Sequence, residues 1–145
     1  MAPAAGRILT THTGSLPRPR DLVTLLRARE EGRTTDEAAF SARVRGAVAD
    51  MVRKQAEIGL SIVNDGEQGR ADYTVYVKDR LTGFDGESAP LPNADAEEFP
   101  EWTEMARQFA PPFQRRPACT GPVTWKDWPA VERDLQTLKA ATARS

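Results

Sequence analysis

Residues 10–15, Thr-Thr-His-Thr-Gly-Ser, follow directly on the apolar pair Ile8-Leu9 and gather hydroxyls, an imidazole and a glycine in one short run. Such a run can donate hydrogen bonds from side chains and backbone amides to a polar or anionic ligand, and Gly14 lets the backbone approach that ligand closely. The competing reading is that Thr10, Thr11 and Ser15 tie up the backbone of their own loop. His12, the sole histidine, is either a substrate-facing hydrogen-bonding or acid–base group or a loop histidine satisfied by backbone. Cys119, the sole cysteine, can form no internal disulfide and reads as a small buried strand residue. A zinc site takes about four ligands, and His12 and Cys119 are too few and wrongly spaced to supply them. No metal site is therefore expected within this chain.

Side chains of this kind do chemistry only when regular elements hold them in place. After Ile8-Leu9 and its polar tail, the segment PRDLVTLLRAREEGR predicts a helix with Leu22, Leu25 and Leu26 on one face and Gly32 as its stop. A second helix is expected from a Thr34/Glu37 capping box, through Phe40, Val44, Val48, Met51, Val52 and Ile58 at three-to-four spacing, to Gly59. Leu60, Ile62 and Val63 then suit a buried strand, and the residues after Val63, NDGEQGR, are polar, as in the opening run. DYTVYVKDRLTGF reads as a helix carrying Tyr73, Tyr76, Val77, Leu81 and Phe84. ACTGPVTW supplies a third apolar run, followed by a helix with Pro129 near its start and Val131, Leu135 and Leu138 on one stripe. Between these lies an acidic, Pro-rich excursion at about 85–117, with room for a short helix or strand within EEFPEWTEMARQF.

Strand, polar tail and helix, three times over, is the grammar of parallel βα units, whose chemistry gathers at the carboxyl ends of the strands. Composition agrees with one globular α/β domain: 145 residues, 39% hydrophobic and 28% charged. Twenty basic and 21 acidic residues leave a formal charge of −1, so neither nucleic acid nor an anionic membrane is an expected partner. No apolar run has signal-peptide or membrane-spanning length, which makes the cytoplasm the default expectation.

TTHTGSLPRP, MVRKQAEIGLSIVNDGEQGR, YVKDRLTGF and CTGPVTW, in this order, resemble the cobalamin-independent methionine synthase family over nearly the whole chain. The similarity is greatest to its methionine synthase II and 5-methyltetrahydropteroyltriglutamate-homocysteine methyltransferase-like members. The resemblance implies a TIM barrel that binds a homocysteine-like thiol through zinc and transfers a methyl or other alkyl group to its sulfur. It implies further that Thr13, Gly14 and Ser15 hold the amino-acid part of the thiol. Gly66 and Glu67 match the family's Gly-Glu pair, whose glutamate binds the substrate ammonium group, and Trp125 offers a stacking surface near the region of a methyltetrahydrofolate-type donor. Asn64 and Asp65 stand where full-length members carry Val-His.

A complete barrel takes roughly 250 residues, so about three βα units amount to the N-terminal portion of one. The family's zinc ligands have no counterparts here. The expectation is a split enzyme: this chain, residues 1–145, is a partial barrel and the substrate-binding subunit, inactive alone. A second protein chain supplies the remaining strands and the zinc. A non-catalytic half-barrel that binds a ligand or stabilises a catalytic relative is the alternative, and a truncated gene product is a third origin.

Overall fold

The structure is a computed structural model that describes residues 6, 8–86, 88, 94–109 and 117–143. Residues 87, 89–93 and 110–116 of the expected acidic excursion, and the terminal 144–145, lie outside the described residues. Helix α1 spans Arg20–Glu30, begins directly after Pro19 and buries Leu22, Leu26 and Ala28, with Leu25 half-buried beside them. Helix α2 spans Glu37–Glu57. Its cap is Asp36, whose carboxylate accepts from the Ala39 amide at 3.0 Å. The expected Thr34/Glu37 capping box does not form, because Asp36 sits one residue before the helix and satisfies the orphan amide itself.

Two apolar clusters organise the helices around α2. Leu22, Leu26, Phe40 and Ala47 join α1 to α2, with Val44 partly buried at the edge. Val48, Val52 and Ala141 join α2 to α6, which spans Trp128–Thr142, and Val63 and Leu138 pack onto them. Val63 thereby fixes the start of the polar run after it to the main helix pair. Asp127 caps α6 by accepting from the Ala130 amide at 3.1 Å, and Pro129 lies in its first turn as expected. Three residues assigned to buried stripes are instead exposed: Ile58 at the end of α2, Leu135 on α6, and Ile62 between α2 and the polar run.

The two polar runs are neighbours because the segments that lead into them pair in parallel. Thr11 and Ile62 form a parallel bridge, and the Ser61 and Ile62 amides both donate to the Thr10 carbonyl at 3.0 Å. The third apolar run behaves differently. Helix α3 is short, Tyr73–Arg80, capped by Asp72 through the Thr74 amide at 2.7 Å, and Leu81 and Phe84 fall beyond it. Strand β1, Phe84–Asp85, pairs antiparallel with β2, Ala118–Cys119, and Leu81 bridges Trp125 in the same sense. Among the described residues, then, the third run pairs with 81–85 and forms no bridge to either of the first two. The chain folds back on 81–85 because Gly83, Gly121 and Pro122 leave the local backbone no helical continuation. Cys119 is exposed rather than buried, its short strand having one neighbour among the described residues. Between β1 and β2, α4 (Ala94–Glu98) and α5 (Pro100–Phe109) supply the short helix anticipated there. No helix among the described residues is long and apolar enough to cross a membrane.

One side chain ties the helices to the second polar run. Gln55 of α2 is 2% exposed; its amide donates to the Asn64 carbonyl at 2.8 Å, and its carbonyl accepts from the Asn64 amide at 3.1 Å. The pair reproduces the two-way exchange of a strand ladder. Gln55→Leu keeps the volume but leaves both Asn64 backbone groups unpaired, so it should destabilise the fold by about 3 kcal/mol. Urea denaturation checks this, and a loss below about 1 kcal/mol would show that Asn64 finds other partners.

Candidate functional site

The polar runs 12–18 and 64–70 meet as one cluster, built mostly from their own backbone needs. The Leu16 amide donates to the Gly66 carbonyl at 3.0 Å, and Asn64 Nδ2 donates to the His12 carbonyl at 2.7 Å. Asn64 Oδ1 accepts from the Gly66 amide at 2.9 Å, and Asp65 Oδ1 accepts from the Glu67 amide at 3.0 Å. These are Asx-type turns, which let consecutive polar side chains bend the backbone sharply. Beneath them lies Gln68, fully buried, with Nε2 donating to the Leu16 carbonyl at 3.1 Å and the Gly66 carbonyl at 3.3 Å.

That bend places Gly66 and Glu67 in the left-handed region, with φ of 59° and 58°. For Gly66 the conformation is natural. A Cβ there would also stand 3.0 Å from two Leu16 side-chain atoms, so glycine is required twice over. For Glu67 the same φ is uncommon and costs on the order of 1 kcal/mol, the kind of strain held at functional sites by the structure around it.

The side chains complete the site. The Ser15 hydroxyl donates to Glu67 Oε2, joining residues 52 apart in the chain. Arg70 Nη2 stands 3.8 Å from Glu67 Oε1 and also pairs with Asp65, Nη1 to Oδ2 at 3.0 Å. Arg18 donates from Nε and Nη2 to the Glu67 carbonyl at 3.1 and 3.0 Å, and Nη2 reaches Ser15 Oγ at 3.3 Å. Burial lowers the Arg18 pKa from its ordinary value, and the nearby Glu67 carboxylate opposes that shift. The cluster is thus a carboxylate met by a hydroxyl and one guanidinium, with a second guanidinium on the same residue's carbonyl, just beyond two segments that bridge in parallel. A carboxylate beside the exposed Thr13–Ser15 backbone is an arrangement that can meet polar groups of both signs.

Of the residues singled out from sequence, Ser15, Gly66 and Glu67 are brought into direct contact, and His12 joins them through its carbonyl. Imidazole Nε2 of His12 is buried without a hydrogen-bond partner among the described residues. Thr13 and Gly14 form the exposed crest of the loop. Gly14 has φ of 92° with open space around its Cβ position, so its conformation rather than any close protein contact calls for glycine. The alternative reading of the hydroxyls divides: Thr10 and Thr11 do tie up backbone, accepting from the Ser61 amide at 3.3 Å and donating to the His12 carbonyl at 3.4 Å, whereas Ser15 faces Glu67. Trp125 stays apart. Its ring meets Trp128 edge-on, centroids 4.7 Å apart, and none of its hydrogen bonds or ring contacts reaches the cluster among the described residues. Sequence reasoning missed Arg18, Gln68 and Arg70. The available signal was an arginine in each polar run, close to the serine and the glutamate they now surround.

The described residues contain no group of three or more His, Cys, Asp or Glu arranged to hold a metal ion. They do not fit a zinc centre.

The chain is a mixed helix and strand protein in which two polar runs meet just beyond a parallel bridge. A family model described as "Cobalamin-independent synthase, Catalytic domain" matches residues 8–144, and the chain belongs to that family. It is 32% identical to a 5-methyltetrahydropteroyltriglutamate–homocysteine methyltransferase of Nitratidesulfovibrio vulgaris, over 87% of this chain and 18% of that protein. A methyltransferase of the same description from Vibrio cholerae is 29% identical over 91% of this chain and 19% of its own length. A methionine synthase of Pyrococcus furiosus is 36% identical over 52% of this chain and 22% of its own length. The chain thus spans about a fifth of the length of these relatives.

Gly66→Ala tests the geometry of the site. The left-handed φ and the contact with Leu16 together should cost about 2 kcal/mol of stability, measured by urea denaturation. Gly14→Ala, with open space around its Cβ, should cost about 1 kcal/mol. Equal losses at the two positions would contradict the close approach of Gly66 to Leu16.

Proposed function

We propose that this chain forms the amino-acid-binding part of a site that transfers a methyl or other alkyl group to the sulfur of a homocysteine-like thiol. The Ser15–Glu67 contact carries the reading, because it unites the two runs that would hold the two charged ends of an amino acid. Glu67 takes the ammonium group through Oε1, while Oε2 is engaged by Ser15. The Thr13–Ser15 backbone takes the carboxylate. His12 Nε2, buried and unpartnered among the described residues, is the group available to hydrogen-bond the substrate. The names of the relatives support homocysteine as acceptor and a methylated pteroyltriglutamate as donor, and Trp125 offers the donor a stacking surface.

In this reading the fold is the N-terminal portion of a TIM barrel. The parallel bridge of Thr11 and Ile62 and the succession of strand-end loop and helix support it. Ile8, Leu9 and Ile62 expose apolar surface that further barrel strands would cover. Those strands and the zinc ligands belong to polypeptide outside these residues, on a partner chain, and the complex works in the cytoplasm. What this chain contributes to the chemistry is capture and orientation of the thiol's amino-acid end, which holds its sulfur in a fixed place.

Glu67→Gln keeps the side-chain shape and removes the charge. Affinity for L-homocysteine, read by isothermal titration calorimetry, should fall by about 2 kcal/mol or more. Stability should change less than affinity. Unchanged affinity would remove Glu67 from the site.

A further inference from the structure

Resting on the assignment of Glu67 to the substrate ammonium group, we propose that Arg18 is the positioning residue that holds Glu67 in its left-handed conformation and thereby gives the site its preference for an amino-acid thiol over the same thiol lacking the amine. Glu67 is the only non-glycine residue with positive φ among the described residues, and a conformation of that kind persists only where neighbours over-determine it. Its amide is held by Asp65 Oδ1, a bond available to any Asx turn. Its carbonyl accepts a fork from Arg18, Nε and Nη2 at 3.1 and 3.0 Å, beside a longer bond from the Arg70 amide at 3.4 Å.

The same guanidinium sets the direction of the side-chain bonds. Arginine has no acceptor, so Nη2 donates to Ser15 Oγ at 3.3 Å, and the serine's one proton is directed to Glu67 Oε2. That leaves Oε1, whose nearest cation is Arg70 at 3.8 Å, beyond ordinary hydrogen-bond reach and open to an incoming ammonium. Arg18 makes no ion pair with a carboxylate within 4.0 Å among the described residues, although it is half-buried and its pKa is lowered by burial. A guanidinium kept in that position is occupied with the carbonyl and the serine. Lysine could supply the charge but not the fork.

The test compares L-homocysteine with 4-mercaptobutanoic acid, its analogue without the amine, by calorimetry on the protein purified with any chain it assembles with. Wild type should prefer homocysteine. Arg18→Gln should lose about tenfold or more of homocysteine affinity while binding the analogue within about twofold of wild type, and Arg18→Lys should fall between. A parallel loss of both ligands, or retained preference in Arg18→Gln, would overturn the positioning role while leaving Glu67 in place. Equal binding of both ligands by wild type would instead overturn the ammonium reading of Glu67, and this inference with it. A second measurement needs no ligand. Glu67→Gly removes the backbone strain, so the shift in denaturation midpoint caused by Arg18→Gln should be smaller in a Glu67→Gly background than in wild type. An equal shift in both backgrounds would show that the fork does not restrain Glu67.

Discussion

The junction between residues 12–18 and 64–70 is the constraint on which the candidate site depends. Both runs follow segments that pair in parallel, so both must turn away from the sheet direction at the same level and find partners for the backbone groups they expose. They find them largely in each other. The Leu16 amide, the His12 carbonyl and the Leu16 carbonyl are all satisfied from the 64–68 run, the last by the amide of the fully buried Gln68. The Ser15–Glu67 contact is a further layer of that mutual satisfaction, and Ser15 within it is exposed. A carboxylate carried on a flexible loop would spend ordering entropy on every binding event, whereas this one is ordered beforehand.

The helices serve the junction rather than enclose it. Helix α2 runs through both apolar clusters and reaches the second run twice, through the packing of Val63 and through the exchange between Gln55 and Asn64. Packing fixes the level of the run, and the glutamine fixes its direction. The charges around Glu67 act at short range. The Arg18 guanidinium stands on the Glu67 carbonyl and the Arg70 guanidinium near its carboxylate, so two positive charges offset those of Glu67 and Asp65.

What the sequence made legible followed from periodicity and from turn chemistry. The helices over 20–30, 37–57 and 128–142 are announced by apolar spacing, Ser15 by its place after an apolar run, and Gly66 and Glu67 by the resemblance to the family's Gly-Glu pair. The errors share a cause, which is that a single sequence does not say which partner a short apolar run will find. Leu81 and Phe84 continue the spacing of α3, yet they leave it to pair with Trp125 and Cys119, because three residues of antiparallel ladder satisfy backbone that another helical turn would leave unsupported. Ile62 has the composition of a buried strand residue and stands exposed, since burial belongs to whatever packs beside it. Arg18 escaped notice because it acts on a carbonyl across the junction, a relation of space and not of spacing.

Membership in the cobalamin-independent synthase family and the geometry of the junction support one proposal, that Glu67 is preset to receive the amine of an amino-acid thiol. A crystal structure with L-homocysteine bound tests it most directly. The account predicts the ammonium nitrogen within hydrogen-bond distance of Glu67 Oε1, the carboxylate on the Thr13–Ser15 backbone, and Glu67 still in the left-handed region with Arg18 on its carbonyl. Homocysteine bound away from this cluster, or bound here with its amine turned from Glu67, would contradict it.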